Sequence, residues 1–316
     1  MYSIDLFVLF LVEASQEELN HQDELGRTPL FISAQRGDAE NVQRLLQAGA
    51  RHDVSDKWGR YPLHVAAAWG HYEVIKALVE NKAFLSATDH LGISPLIYAS
   101  YNGKDQCVEY LMTGDIYIEQ RDCDGNTALS YAAINNSSNC IRLLIQYKAN
   151  INCKDDLGIT PLMAAAHKGH EECCVVLLDN KAKLEEKDEK GWTALHHAAI
   201  YDNSGKCADL LCHYGADVNA KSQKGCTPLM LAAWKNCSEG IKALLEYKAD
   251  YELKDGDGGT ALHYAAKFNS LECVKLLIEH GASLAVQTLT GSTPLMLAEQ
   301  AENTETIYYL SQLMTD

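Results

Sequence analysis

The sequence predicts an all-α solenoid of stacked helix–turn–helix units with projecting turns, and three observations predict it. A short phrase, Gly-x-Thr-Pro-Leu, returns with a step of 33 residues. Its Leu stands at Leu30, Leu63, Leu96, Leu129, Leu162, Leu195, Leu229, Leu262 and Leu295; one interval, Leu195 to Leu229, is 34 and the others are 33. All six prolines occupy one place in this phrase, and five of the eleven cysteines recur at one later place. Self-similarity at this period marks a repeat array, in which each unit buries its apolar face only against its neighbours. Nine units fill residues 26–316, the sixth with one extra residue, and no stretch remains for a separate catalytic domain.

Residues 1–25 form the first element, an N-terminal capping helix and first turn. Residues 6–12 are an apolar run too short to cross a bilayer. Asp5 stands where a signal peptide carries Lys or Arg. The run therefore reads as a helix over the open end of the first repeat. It is more apolar than the wet outer face of a terminal cap, so either a partner covers it or the chain begins further upstream.

Within each repeat the order is turn, helix, stop, helix. Asp occurs three residues before the turn Gly in seven units, from Asp23 to Asp255, and suits a tight turn. Thr260 typifies the N-cap that follows, its hydroxyl accepting a free N–H of the first turn. Pro29, Pro62, Pro95, Pro161, Pro228 and Pro294 take the first helical position, where a missing N–H costs nothing. Leu262, Ala265 and Ala266 make a narrow apolar face that allows close approach. Nine residues after the Thr comes a stop: Gly37, Gly70, Gly103 and Gly169, or Asn136, Asn236 and Asn269. A second helix follows, with Val274, Leu277 and Ile278 at helical spacing. In the sixth unit the extra residue falls within 200–206, where a local bulge is expected.

This order, with Tyr-Pro-Leu-His at residues 61–64 and Thr-Ala-Leu-His at 193–196 and 260–263, resembles the ankyrin repeat. The resemblance implies L-shaped units stacked into a curved ankyrin-repeat solenoid, with turns and first helices lining a concave groove. The chain departs from the family's Gly-Ala helix end, seen at Gly49, Gly215 and Gly281, by placing Lys82, Lys148, Lys181 and Lys248 there. A side chain in the left-handed region costs about 1–2 kcal/mol, of which a cation at a helix C-terminus recovers about 0.3–1 kcal/mol.

The net charge of −16 argues against nucleic acid as a partner, because phosphate binding needs a basic footprint. Cys107, Cys140, Cys173, Cys207 and Cys273 sit at one repeat position, as small apolar core residues rather than a disulfide framework. With no clear secretory signal, the thiols are expected reduced and the protein cytoplasmic, with the nucleus also compatible. His167, His170, Cys173 and Cys174 resemble a zinc quartet, but the repeat explains three of them, and no metal or cofactor is expected. His196, in the motif place shared by His64 and His263, is expected to bond locally. The chain has no glycine-rich phosphate loop and no serine nucleophile elbow, so catalysis is not expected. The acidic run at residues 185–189 is a solvated edge, and Asn-x-Ser at Asn135, Asn136 and Asn236 carries no meaning in a cytosolic chain.

Ankyrin repeats are substrates of an asparaginyl hydroxylase favouring a Leu, five residues, an acid, an aliphatic and Asn. Leu211, Asp217, Val218 and Asn219 match that spacing, and Leu144, Asn150, Ile151 and Asn152 match it without the acid. Asn219 is thus a candidate for hydroxylation; the simpler reading is that it caps its turn.

In the ankyrin family the ligand-facing places, counted from the Thr, are −4, −3, −1, +7 and +8. All four tryptophans, Trp58, Trp69, Trp192 and Trp234, land on them, joined by Tyr101, Tyr201 and Phe268. These places are 45 of 316 residues, so chance seldom puts every Trp there. Nine basic residues share them with five acidic ones, Arg36, Arg60, Lys168 and Lys235 among the former. An aromatic, basic groove on an acidic body points to an acidic or amphipathic protein or peptide as partner. It does not point to a small molecule. The leading function is a non-catalytic adaptor or scaffold. A regulatory subunit of a phosphatase or ubiquitin ligase is an alternative, although no recruiting box after Asp316 supports the ligase version. The ankyrin region of a larger enzyme or channel is the other alternative.

Overall fold

Every copy of the phrase starts a helix in the computed structural model, which describes residues 15–202 and 204–314. The chain divides into two compact units, Met1–Asp156 and Leu157–Asp316. Among the described residues of the first are α1 (Gln16–Leu19) and four helix pairs: α2 (Pro29–Arg36) with α3 (Ala39–Gln47), α4 (Pro62–Trp69) with α5 (Tyr72–Glu80), α6 (Pro95–Tyr101) with α7 (Asp105–Leu111), and α8 (Ala128–Ile134) with α9 (Ser138–Gln146). The second holds five: α10 (Pro161–Lys168) with α11 (Glu171–Asp179), α12 (Ala194–Tyr201) with α13 (Lys206–His213), α14 (Pro228–Trp234) with α15 (Ser238–Glu246), α16 (Ala261–Lys267) with α17 (Leu271–Glu279), and α18 (Pro294–Gln300) with α19 (Thr304–Leu313). No strand occurs among the described residues. The helix expected at residues 6–12 lies outside them.

Local chemistry accounts for these boundaries. The Thr28 hydroxyl accepts the Phe31 N–H at 3.2 Å, and Thr160 accepts that of Met163 at 3.3 Å. The first helices stop where left-handed residues are placed, at Gly37 (φ 77°) and equally at Asn136 (φ 58°). Two repeats stop differently. In the sixth, Asp202 stays at φ −87°, and the left-handed residue is Gly205 (φ 71°), at the N-cap of α13. The buried Asp202 carboxylate accepts the N–H of Ser204 at 3.0 Å and of Cys207 at 2.6 Å, so the expected bulge is a carboxylate-centred loop. In the ninth, Glu302 adopts φ 58°, a stop with no sequence signal of the Gly or Asn kind. Lys82, Lys148, Lys181 and Lys248 are left-handed as well, at φ 62–71°.

The turn aspartates organise each projecting turn. One oxygen of Asp56 accepts the N–H of Trp58 and of Arg60, at 3.0 and 2.9 Å, and Asp122 and Asp255 repeat the pattern. The other oxygen reaches the first helix through the hydroxyl of Tyr98, Tyr131 or Tyr264, at 2.6–2.8 Å. In the first two repeats that helical place is aliphatic, and Arg27 and Arg60 reach Asp23 and Asp56 instead. Neighbouring turns within each unit are joined by single backbone bonds, such as Lys57 N–H to Leu25 O at 3.0 Å and Gly256 N–H to Lys224 O at 2.9 Å.

Packing explains the small and neutral residues. The Ala pairs at residues 66–67, 165–166 and 265–266 are wholly buried on first helices, where small side chains allow close packing. Cys107, Cys140, Cys173, Cys207 and Cys273 are 0–2% exposed, and burial pushes the thiols of Cys107 and Cys273 up to about 11 and about 12. No disulfide occurs among the described residues. The motif histidines bridge repeats, as their place suggested. His196 Nδ1 accepts the Thr193 N–H at 3.1 Å, and its Nε2–H donates to Cys226 O at 3.1 Å. His64 does the same with Tyr61 N–H and with Ala87 and Ile93 carbonyls, and His263 with Thr260 and Ser292.

Burial lowers the pKa of His64 and His196 from 6.5 to about 4. Between these values the unfolded chain binds more protons than the folded one. The contribution is therefore complete above about pH 6.5 and is lost as pH falls toward 4, by on the order of 3 kcal/mol per histidine. Thermal melting of the full chain should drop steeply from about pH 7 to about pH 4.5. H196Q should melt lower at neutral pH but show a shallower decline; an unchanged slope in H196Q would refute the assignment.

Candidate protein-interaction surface

In the N-terminal unit the turn tips and first-helix ends carry exposed apolar groups. At the −3 place stand Leu25, Trp58 and Leu91, with Trp58 50% and Leu91 57% exposed. The backbone ladder fixes these tips in a row, with His90 N–H bonded to Trp58 O at 3.0 Å and Cys123 N–H to Leu91 O at 2.9 Å. At the ends of α4 and α6, Trp69 is 61% exposed and Tyr101 40% exposed. Tyr101 meets Tyr131 edge-on, with ring centroids 5.6 Å apart. Arg36 is exposed at the end of α2. Arg60 is held differently: its guanidinium lies 2.6 Å from the buried Asp56 carboxylate and 4.7 Å from the Trp58 ring. Its charge is engaged inside the turn, where it orients Trp58.

In the C-terminal unit the corresponding places alternate rings with ammonium groups. Trp192 is half-buried against the edge of His197, at 5.4 Å, and Lys190 stands 4.9 Å over it. His197 in turn bonds Asp188 at 3.1 Å. Burial of Asp188 works against its charge, but the bonds from His197 and from the N–H groups of Trp192 and Lys190 outweigh it, and its pKa is lowered. The exposed Tyr201 ring lies 3.8 Å from His167, whose pKa is pushed down to about 4 by burial and then by nearby His197, Lys168 and Lys190. Trp234 is 6.0 Å from the exposed Phe268, with Lys235 4.4 Å from the Trp ring and Lys267 5.7 Å from the Phe ring. Phe268, Tyr264, His263 and Leu289 line a cleft of about 340 Å³. Lys168 is exposed at the end of α10.

All eleven candidate residues are thus at the surface or half-buried, five in the first unit and six in the second. Reading only aromatics and charges overlooked Leu25, Leu91, Leu157 and Leu289, which occupy the same places of the repeat and are exposed. Phe84 and Tyr117 were overlooked too. They sit ten residues before the Ser94 and Thr127 caps, and both are 66% exposed. Aligning that column of the repeat would have found them.

The remaining candidates are placed by packing. Cys173 and Cys174 are wholly buried, and among the described residues no group of three or more His, Cys, Asp or Glu could hold a metal ion. No helix among those residues is long and apolar enough to cross a membrane. The Asn219 carboxamide oxygen accepts the Asp250 N–H of the next repeat at 2.9 Å, and its own N–H donates to Asp217 at 3.0 Å.

Comparison with known proteins follows the same lines. The family described as Ankyrin repeats (3 copies) matches residues 3–89, 82–155, 147–222 and 229–316. The crystal structure of the human ASB11 ankyrin repeat domain is similar, with a TM-score of 0.64 and 28% identity, over 71% of this chain and 100% of that one. No curated protein sequence matches.

Exposure separates surface from core in a measurable way. W69A should change unfolding free energy by less than about 0.5 kcal/mol. F31A, which empties a wholly buried site, should cost about 3–5 kcal/mol. Urea titration of the two variants checks the contrast.

Proposed function

Because the chain belongs to the ankyrin-repeat family, we propose that it is a non-catalytic adaptor or scaffold binding partner proteins through its turn tips and first-helix ends. Ankyrin repeats generally mediate protein–protein interaction. The nine helix pairs are taken as nine repeats over residues 26–316, with α1 in the preceding cap. The observation that carries the reading is the recurrence of exposed rings at the ligand-facing places of both units. Trp58, Trp69, Tyr101, Tyr201 and Phe268 are all 40% exposed or more. Large rings leave water poorly and order few rotors when they bind, so they anchor interfaces.

The partner is an acidic or amphipathic protein segment, matched to rings and unpaired ammonium groups. Nucleic acid suits the chain poorly at −16 net charge. A cytoplasmic or nuclear location agrees with the buried thiols. Asn219 remains the candidate hydroxylation site: its side chain links two repeats, so an added oxygen there would act on stacking.

Proximity labelling in cells, followed by capture of the labelled partners on purified protein, tests the reading. W69A combined with W234A should reduce capture roughly tenfold or more, with melting nearly unchanged. Capture equal to wild type would overturn it. For Asn219, mass analysis of the peptide holding it, from protein expressed in animal cells, should show one added oxygen; an unmodified peptide removes the site.

A further inference from the structure

The charges of the two units are arranged differently. In the N-terminal unit Arg27, Arg60 and Arg121 each lie 2.6–2.7 Å from a carboxylate, of Asp23, Asp56 and Asp156. Their positive charge is paired within a turn or, for Arg121, with the next turn, and tips of this unit are Leu25, Trp58 and Leu91. In the C-terminal unit the −3 tips of two successive repeats are Lys190 and Lys224, both exposed. One step along the same turns, Lys221 Nζ donates to Lys254 O at 3.1 Å, and Lys254 Nζ to Gln287 O at 3.2 Å. These bonds lay the ammonium groups along the row of turns and leave donors on each for a further acceptor. Lys235 and Lys267 face the row from the helix ends, each over an aromatic ring. Among the described residues none of these six lysines is in an ion pair, whereas Lys206 and Lys242 on the second helices pair with Glu171 and Glu239. Glu189 and Asp257 are the only acids at the five ligand-facing places of repeats six to eight.

We infer that the lysine row of the C-terminal unit is the docking surface for an acidic peptide segment with bulky apolar residues beside its carboxylates. This rests on the interaction reading above and deepens it. The charge is complementary, and the body that carries the row is acidic overall, so a weakly acidic or neutral segment gains little there. The apolar requirement follows from geometry. Lys190, Lys235 and Lys267 each sit within 4.4–5.7 Å of a ring, so a carboxylate that meets one of these ammonium groups brings its neighbouring side chain against Trp192, Trp234 or Phe268. Rings capped by lysine suit a carboxylate flanked by Leu or Phe better than a phosphodiester chain.

Selection of a random peptide display library on the full chain, with affinities then measured by fluorescence polarisation, tests this. The enriched peptides should be acidic and carry an aromatic or Leu next to Asp or Glu. K190E combined with K224E should weaken their binding roughly tenfold or more. Raising salt from about 0.05 to about 0.3 M should weaken it further in wild type than in that variant. The control K206E with K242E changes net charge equally, away from the row, and should stay within about twofold. Enrichment of neutral or basic peptides, no enrichment, equal binding by the K190E and K224E double variant, or equal binding of a DNA duplex would each overturn the inference. Peptides lost with W69A and W234A but indifferent to K190E and K224E would leave the interaction reading standing and remove this one. Peptides lost with K190E and K224E but indifferent to the Trp changes would overturn both, because each gives Trp234 a part in the contact.

Discussion

A helix of seven or eight residues is not stable alone in water, because nucleation costs more than so few hydrogen bonds return. Within each unit the pairs therefore depend on the neighbouring pairs that cover them. The place three residues after the Thr demonstrates the dependence. Phe31, His64, Ile97, Met163, His196 and Met230 are at most 1% exposed there, each roofed by the following repeat. Met296, in the ninth repeat, occupies the same place and is 46% exposed. Side chain and local backbone are alike; what differs is the neighbour.

Stacking of this kind brings polar backbone into close quarters, and the chain meets that requirement with a few repeated groups. The turn carboxylate accepts two N–H groups with one oxygen and ties the turn to its helix with the other. The partner for that second oxygen varies, Tyr98, Tyr131, Tyr264, His197 or an Arg, because any donor of suitable reach will serve. The motif histidines do the equivalent between repeats, and must stay neutral to do so. With turn, cap and stacking face held by these residues, tips and helix ends are free to differ. In the N-terminal unit they carry Leu25, Trp58 and Leu91; in the C-terminal unit they carry Lys190 and Lys224.

Much of this was legible from residue types at a period of 33. Gly26 through Gly291 announce a turn, and all nine have φ of 76–83°; at Gly92 a Cβ would stand 3.0 Å from the backbone of Asp122. The recurrent Cys were recognisable as core because chemistry repeated at one place serves packing. Glu302 as a left-handed stop was not legible, since nothing in its own chemistry favours that conformation over others. Nor was the loop around Asp202, where an extra residue let a carboxylate take over from a glycine.

The sequence by itself determined the array, its register, the limits of most helices and the places that face outward, because a repeat writes the same local physics many times over. Which of the outward charges are available was decided only by tertiary structure. Arg60 and Lys190 are both cations in a projecting turn beside a Trp, yet Arg60 lies on a buried carboxylate while Lys190 stands over a ring with no ion pair among the described residues. The reason is distance in space: whether a cation is neutralised depends on what the fold brings within a few ångströms of it, and in Coulomb terms that outweighs its place in the sequence.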